Sequence, residues 1–158
     1  MRTRALLVTA GVTTAVLVTA GVVAGQQTAS AGTAHTLKAT ETITRTFAQD
    51  LGEKGISIGD TLAYNFVLKD VNGAKLGTGG GYCVVFAGTT ETNAQYHCSG
   101  TYLLGGDEIF TGGMFTYAEK ITKWPLLGGT GKYRGATGVL EATARSAESF
   151  ADVFHFDS

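Results

Sequence analysis

The strongest constraint on this chain is a glycine-rich run near its C-terminus, Gly128-Gly129-Thr130-Gly131-Lys132-Tyr133-Arg134-Gly135-Ala136-Thr137-Gly138. Glycine at this density admits positive φ and close chain approach, at an entropic cost that is kept only where a tight turn is required. Two structures use such a run: a loop that cradles phosphate and a corner of a β-barrel. A phosphate loop needs Lys followed by Ser or Thr, opening a helix after a strand. Here Tyr133 follows Lys132, and Val139-Leu140-Glu141-Ala142-Thr143-Ala144 reads as a strand. Gly129-Thr130-Gly131 begins a Gly-x-Gly, but no strand–helix–strand unit surrounds it. The run therefore reads as a corner between strands.

The rest of the chain agrees. After the first 31 residues no 3.6-residue apolar period is sustained. Short strand-like runs recur between Gly, Asn and Asp, the pattern of an all-β barrel or sandwich. The predicted strands are Thr36–Phe47, Thr61–Lys69, Gly80–Ala87, Ala94–Leu104, Asp107–Thr116, Glu119–Trp124, Gly138–Ser146 and Ser149–Phe156. Asn72-Gly73 signals a hairpin turn, and Gly105-Gly106 another. Pro125, the single proline, is expected to end or bend a strand. Seven or eight strands in one domain fit a small closed barrel, which also removes exposed sheet edges. Tyr82, Phe86, Phe110 and Phe115 read most simply as core.

Residues 1–31 stand apart. Arg2 and Arg4 precede an uncharged stretch from Ala5 to Ala24, and Ala29-Ser30-Ala31 offers the small residues that a signal peptidase reads. This is the pattern of a secretory signal peptide, with an uncleaved N-terminal anchor as the alternative. The expected domain is residues 32–158, secreted and extracellular, with no membrane association once the leader is removed. The net charge is −1 with no basic block, which argues against nucleic acid as a partner. Two cysteines in an exported chain point to one disulfide, two buried free thiols being the alternative. If Ala87 pairs with Ala94 across a hairpin, Phe86 lies opposite Gln95, Val85 opposite Tyr96 and Cys83 opposite Cys98, close enough for a cross-strand bridge. Side-chain alternation then puts Cys83, Val85, Tyr96, Cys98 and Tyr102 on one face.

A search for chemistry returns little. His35, His97 and His155 are scattered, with no His-x-x-x-His or Cys-x-x-Cys spacing, so no metal site is expected. No nucleophile has a recognisable partnered base. Isolated polar groups remain on apolar strands: Glu41, Asn65 beside Tyr64, and the tyrosines Tyr96 and Tyr102. A carboxyl inside an apolar barrel has a raised pKa and can serve as an acid or base; a solvent-facing Glu41 is the simpler alternative.

The glycine run closely resembles the Gly-Gly-Thr-Gly-Lys-Phe-Arg signature of dirigent proteins and the matching segment of allene oxide cyclases. Upstream, Gly112-Gly113-Met114-Phe115-Thr116-Tyr117-Ala118-Glu119, Gly81-Tyr82-Cys83-Val84-Val85-Phe86 and Ile58-Gly59-Asp60-Thr61-Leu62 resemble cyclase segments in the same order. The family motif is carried by Gly128, Gly129, Gly131, Gly135 and Gly138. The resemblance implies an all-β, eight-stranded antiparallel barrel with a small apolar lumen, a homo-oligomer (trimer or dimer), and no cofactor. It also implies a small apolar organic ligand held for ring closure, isomerisation or oriented coupling. By the same resemblance Glu41 matches the charge-stabilising glutamate of the cyclases, Asn65 their lumen asparagine and Cys83 their strand cysteine. The expected function is a secreted barrel that promotes cyclisation or isomerisation, with Glu41 and Asn65 catalytic and Tyr64, Val85, Tyr96 and Tyr102 shaping the pocket. The alternatives are a dirigent-like binder without catalysis and a structural or interaction barrel of the cell envelope. An open lumen with Glu41 and Asn65 inside favours the first two; a lumen filled by bulky side chains favours the third.

Overall fold

The computed structural model describes residues 35–157; the expected leader at residues 1–31 lies outside them. Eight strands follow in order: β1 (Thr36–Gln49), β2 (Thr61–Lys69), β3 (Lys75–Ala87), β4 (Gln95–Leu104), β5 (Asp107–Phe115), β6 (Ile121–Gly129), β7 (Gly138–Ser146) and β8 (Ser149–Phe156). Each pairs antiparallel with its sequence neighbour, and β8 closes on β1. The architecture is the expected eight-stranded closed antiparallel barrel.

Local chemistry sets the turns. At the β2–β3 turn Asp70 Oδ1 accepts the amides of Asn72 and Ala74, each at 2.8 Å, and Gly73 takes φ +84°. Gly105 and Gly106 both take positive φ between β4 and β5, the conformation a two-residue hairpin turn demands. In the glycine-rich run a single 3₁₀ turn, Gly131–Tyr133, links β6 to β7. Gly131 (φ +52°) leaves no space for a side chain, because its backbone lies against the Asp107 carboxyl. The run is thus a corner, with Tyr133 tucked under it against Phe156.

Two strands run further than the sequence pattern suggests. β3 begins at Lys75 rather than Gly80, so Gly77 and Gly79 join Gly81 in it. Glycine normally weakens a strand; here its lack of a side chain lets a cross-strand ring lie on the backbone. A Cβ on Gly79 would collide with the Phe66 ring, and one on Gly81 with the Tyr64 ring. β6 continues through Pro125 to Gly129. Ile121–Pro125 pairs with β7, whereas β6 pairs with β5 from Leu126 onward. The proline, which has no N–H to donate, sits where β6 changes partner. Beside it the β5–β6 ladder reaches only from Ile109 to Thr111 on β5. Above that, the Trp124 indole bridges the seam by donating to the Met114 carbonyl at 2.8 Å.

The two halves of the lumen differ. At the end carrying the β6–β7 corner, Phe66, Leu68, Leu104, Ile109, Leu140, Phe154 and Phe156 pack into a closed core. Tyr102 caps this core, 4.9 Å from the rings of Phe66 and Phe154. The other half stays open. Tyr82 and Phe86, expected in the core, are about half exposed on the outer wall (47% and 51%), because they alternate with inward-facing Cys83 and Val85.

Candidate functional site

The open half holds a cavity of about 140 Å³. It reaches the end formed by the β1–β2, β3–β4 and β5–β6 loops and the β7–β8 turn, since Tyr117 and Ala147 line its mouth. The walls are largely apolar and aromatic: Leu62 and Tyr64 from β2, Phe115 from β5, Trp124 from β6 and Phe150 from β8. The Cys83–Cys98 disulfide forms another part of the wall. The two residues are directly paired, as are Val85 and Tyr96. The expected Phe86–Gln95 pair is replaced by Ala87–Gln95, with Phe86 in a bulge.

Two carboxyls lie on the floor. Glu41 is 5% exposed and Asp152 is 1% exposed. Their strands set them side by side: Glu41 pairs with Phe150 and Ala39 with Asp152, so the acids are diagonal neighbours on the inner face. Ala39 and Ala142 flank Asp152 on β1 and β7, and their small side chains leave room around the carboxyl. Both Asp152 oxygens are buried without an N–H or O–H donor from the described residues. The ionisable group set beside them is the Glu41 carboxyl, and two carboxyls can hydrogen-bond only through a proton.

Burial raises both acids. Glu41 is pushed up to about 9, chiefly by burial and then by the Asp152 charge and hydrogen bond. Asp152 rises to about 7 by burial, a rise the Glu41 hydrogen bond partly offsets. The two titrate as a pair, and near neutral pH the pair retains a proton. Tyr102 lines the same cavity and acts to lower Glu41, against the larger rise from burial. Tyr102 and Tyr64 are both raised, first by burial and then by the acids beside them, so both stay neutral donors. A protonated acid in an apolar site is a strong hydrogen-bond donor, and its deprotonated partner is a base.

The expected residues divide as follows. Glu41, Tyr64, Tyr102, Cys83 and Cys98 line the cavity. Val85 and Tyr96 are buried on the same inner face but do not line it. Val85 is tied to the loop before β2 through backbone bonds to Gly59 and Asp60, and Tyr96 packs behind Phe115 and Tyr117. Asn65 is corrected: it is exposed on the outer wall, because adjacent strand residues face opposite ways and Tyr64 already points inward. The glycines of the motif form the corner at the far end and do not reach the cavity. Asp152 was missed. Its signal lies in the parity of β8, where Phe150, Asp152, Phe154 and Phe156 share the inner face: a lone acid in a row of phenylalanines. Among the described residues no group of three or more His, Cys, Asp or Glu stands ready to hold a metal ion.

Comparison with known proteins adds to this geometry. The family model described as "Allene oxide cyclase barrel like domain" matches residues 33–154. No curated protein sequence matches closely enough to count as a relative. Among solved structures, a pyocyanin demethylase superposes with a TM-score of 0.68 at 23% identity, covering 77% of this chain and 99% of that one. The exo-specific intermolecular Diels-Alderase AbnU gives 0.65 at 16% identity, over 80% of this chain and 100% of its own. The pterocarpan synthase dirigent protein PsPTS1 gives 0.63 at 16% identity, over 80% and 96%. At these identities the likeness is one of fold.

Proposed function

As this chain belongs to the allene oxide cyclase barrel-like family, we propose that it binds a small, largely apolar molecule in the open half of its barrel and promotes a ring closure or isomerisation there. One observation carries the reading: two buried acids, Glu41 and Asp152, set diagonally to each other at the bottom of an open aromatic cavity. The walls hold the substrate in a folded, reactive shape, converting part of the entropic barrier into binding. Glu41, kept protonated by burial, hydrogen-bonds a substrate oxygen as negative charge develops on it. Asp152 is placed to take or return a proton, and Tyr102 orients Glu41. No step needs a redox change. Structural neighbours that include Diels-Alderases and a dirigent pterocarpan synthase support the same class of chemistry.

A second reading, a dirigent-like binder, rests on the aromatic cluster at the mouth, where Phe115 and Tyr117 sit 4.9 Å apart. Such a lip can orient a guest without reacting. Glu41→Gln separates the two: it abolishes turnover in a cyclase and barely changes ligand retention in a binder. Native mass spectrometry of protein recovered from its own secretion medium identifies a retained ligand; a bare monomer would count against both readings. Secretion through residues 1–31 belongs to this proposal, as does a homo-oligomer joined through exposed Tyr82, Phe86, Met114 and Leu127 on the outer wall.

A further inference from the structure

The cavity is one-sided in its charge. Its ionisable lining consists of two acids, Glu41 on β1 and Asp152 on β8, with the phenols of Tyr64 on β2, Tyr102 on β4 and Tyr117 after β5. β3, β6 and β7 contribute only uncharged groups: Cys83, Thr122, Trp124 and Ala142. No Lys, Arg or His among the described residues lines it. Lys120 stands in the adjoining cleft at the rim, beside Glu119. An anion entering would be desolvated against the acid pair with no cation to meet it, and burying an unpaired charge is strongly unfavourable.

The floor is equally specific in its hydrogen bonding. A second proton gives the pair a free donor for the guest, a single proton must leave the bond between the acids to reach it, and with neither the pair offers acceptors alone. A cavity of about 140 Å³ accepts roughly one six-membered ring, with the remainder of the guest leaving through the mouth.

We propose that the pocket selects uncharged ring compounds that present a hydrogen-bond-accepting oxygen or nitrogen to the Glu41–Asp152 pair, and rejects ligands that present a carboxylate or phosphate there. This rests on the small-molecule reading above and narrows it to a substrate class. It makes carbonyl or ether oxygens of neutral polycyclic or phenolic compounds the natural guests, and free fatty acids poor ones. The raised titration of both acids supports it by keeping a donor in place through neutral pH.

The test uses two probes of the same ring system, 2-acetylnaphthalene and 2-naphthoate, titrated against the intact protein by ligand-observed NMR at pH 6, pH 8 and pH 10. At pH 6 the ketone is expected to bind more tightly than the carboxylate, because the anion is desolvated with no cation to meet it; the preference is expected to reach at least about tenfold at pH 8, where the pair carries a negative charge of its own. Between pH 6 and pH 10 ketone affinity is expected to fall about tenfold as the pair loses its last proton. In Glu41→Gln/Asp152→Asn the added preference at pH 8 and the pH dependence are expected to vanish. Equal binding of the two probes by the unaltered protein would overturn the selectivity while leaving a small-molecule pocket in place. Ketone affinity unchanged by pH would overturn the donor role of the pair. Binding of neither probe would remove the pocket reading and this inference with it. The unaltered-protein titrations stand even if the double variant does not fold.

Discussion

Replacing Glu41 with Gln should make this protein more stable in mild alkali, and the size of the gain follows from the floor of the cavity. In the unfolded chain Glu41 releases its proton near 4.5; in the barrel it holds it to about 9. A folded-state value above the unfolded one means that the native state binds the extra proton between those limits. Stability from this group is therefore complete below about pH 4.5 and is lost as pH rises toward 9. Each pH unit is worth about 1.4 kcal/mol, so from pH 5 to pH 8 the loss approaches roughly 4 kcal/mol. Water entering the open cavity reduces this to about 2–4 kcal/mol. Gln is uncharged throughout and close in shape to the protonated acid, and its amide can donate to Asp152. Glu41→Gln should be about as stable as the parent at pH 5 and about 2–4 kcal/mol more stable at pH 8. Urea unfolding followed by the single Trp124, at pH 5, 6.5 and 8 with the disulfide intact, measures it. Parallel curves for parent and variant across that range would refute the idea that Glu41 is held protonated.

Removing the disulfide as Cys83→Ala/Cys98→Ala opens a loop of sequence separation 15; it should cost about 3 kcal/mol, seen as a matching loss when the parent is unfolded with reductant. Gly113→Ala would set a Cβ 2.7 Å from Trp124 Cδ1, displacing the indole from its bond to Met114. A cost of about 1–3 kcal/mol is expected, with a change in Trp124 emission, and unchanged emission would count against the seam described above. Asp60, whose carboxylate accepts the amides of Leu51 and Ser57 at 2.7 Å, has its pKa lowered by those bonds. The order it gives the β1–β2 loop should persist above its unfolded value and be lost as pH falls through the lower folded one. Asp60→Ala should raise amide exchange at Leu51 and Ser57 at neutral pH, and equal protection in the variant would refute the role.

Most of the fold was legible because it depends on short-range rules. Alternation, turn glycines and the Asn72-Gly73 signal placed six of the eight strands within two residues of where they lie, and the Cys83–Cys98 pairing followed from counting back along one hairpin. The exceptions were β3 and β6, where Gly77–Gly81 and Pro125 break local strand preference. Only the partner rings of Tyr64 and Phe66, and the change of partner along β6, explain why those residues belong there.

The site was legible only in part. The sequence by itself determined that Glu41 sits in a strand, and it put Tyr64 and Asn65 together in the lumen although adjacent strand residues face opposite ways. It could not say which of them faces inward, because a strand's inner face is set by register and closure against other strands. Closure of β8 on β1 turned Glu41 inward, put Asp152 diagonal to it and left Asn65 outside. The acid pair joins residues 111 positions apart in the chain, and neither carries a perturbed proton affinity until the barrel removes its water and sets the other beside it. Composition and periodicity specified the container; the ring of strands decided what faces its interior.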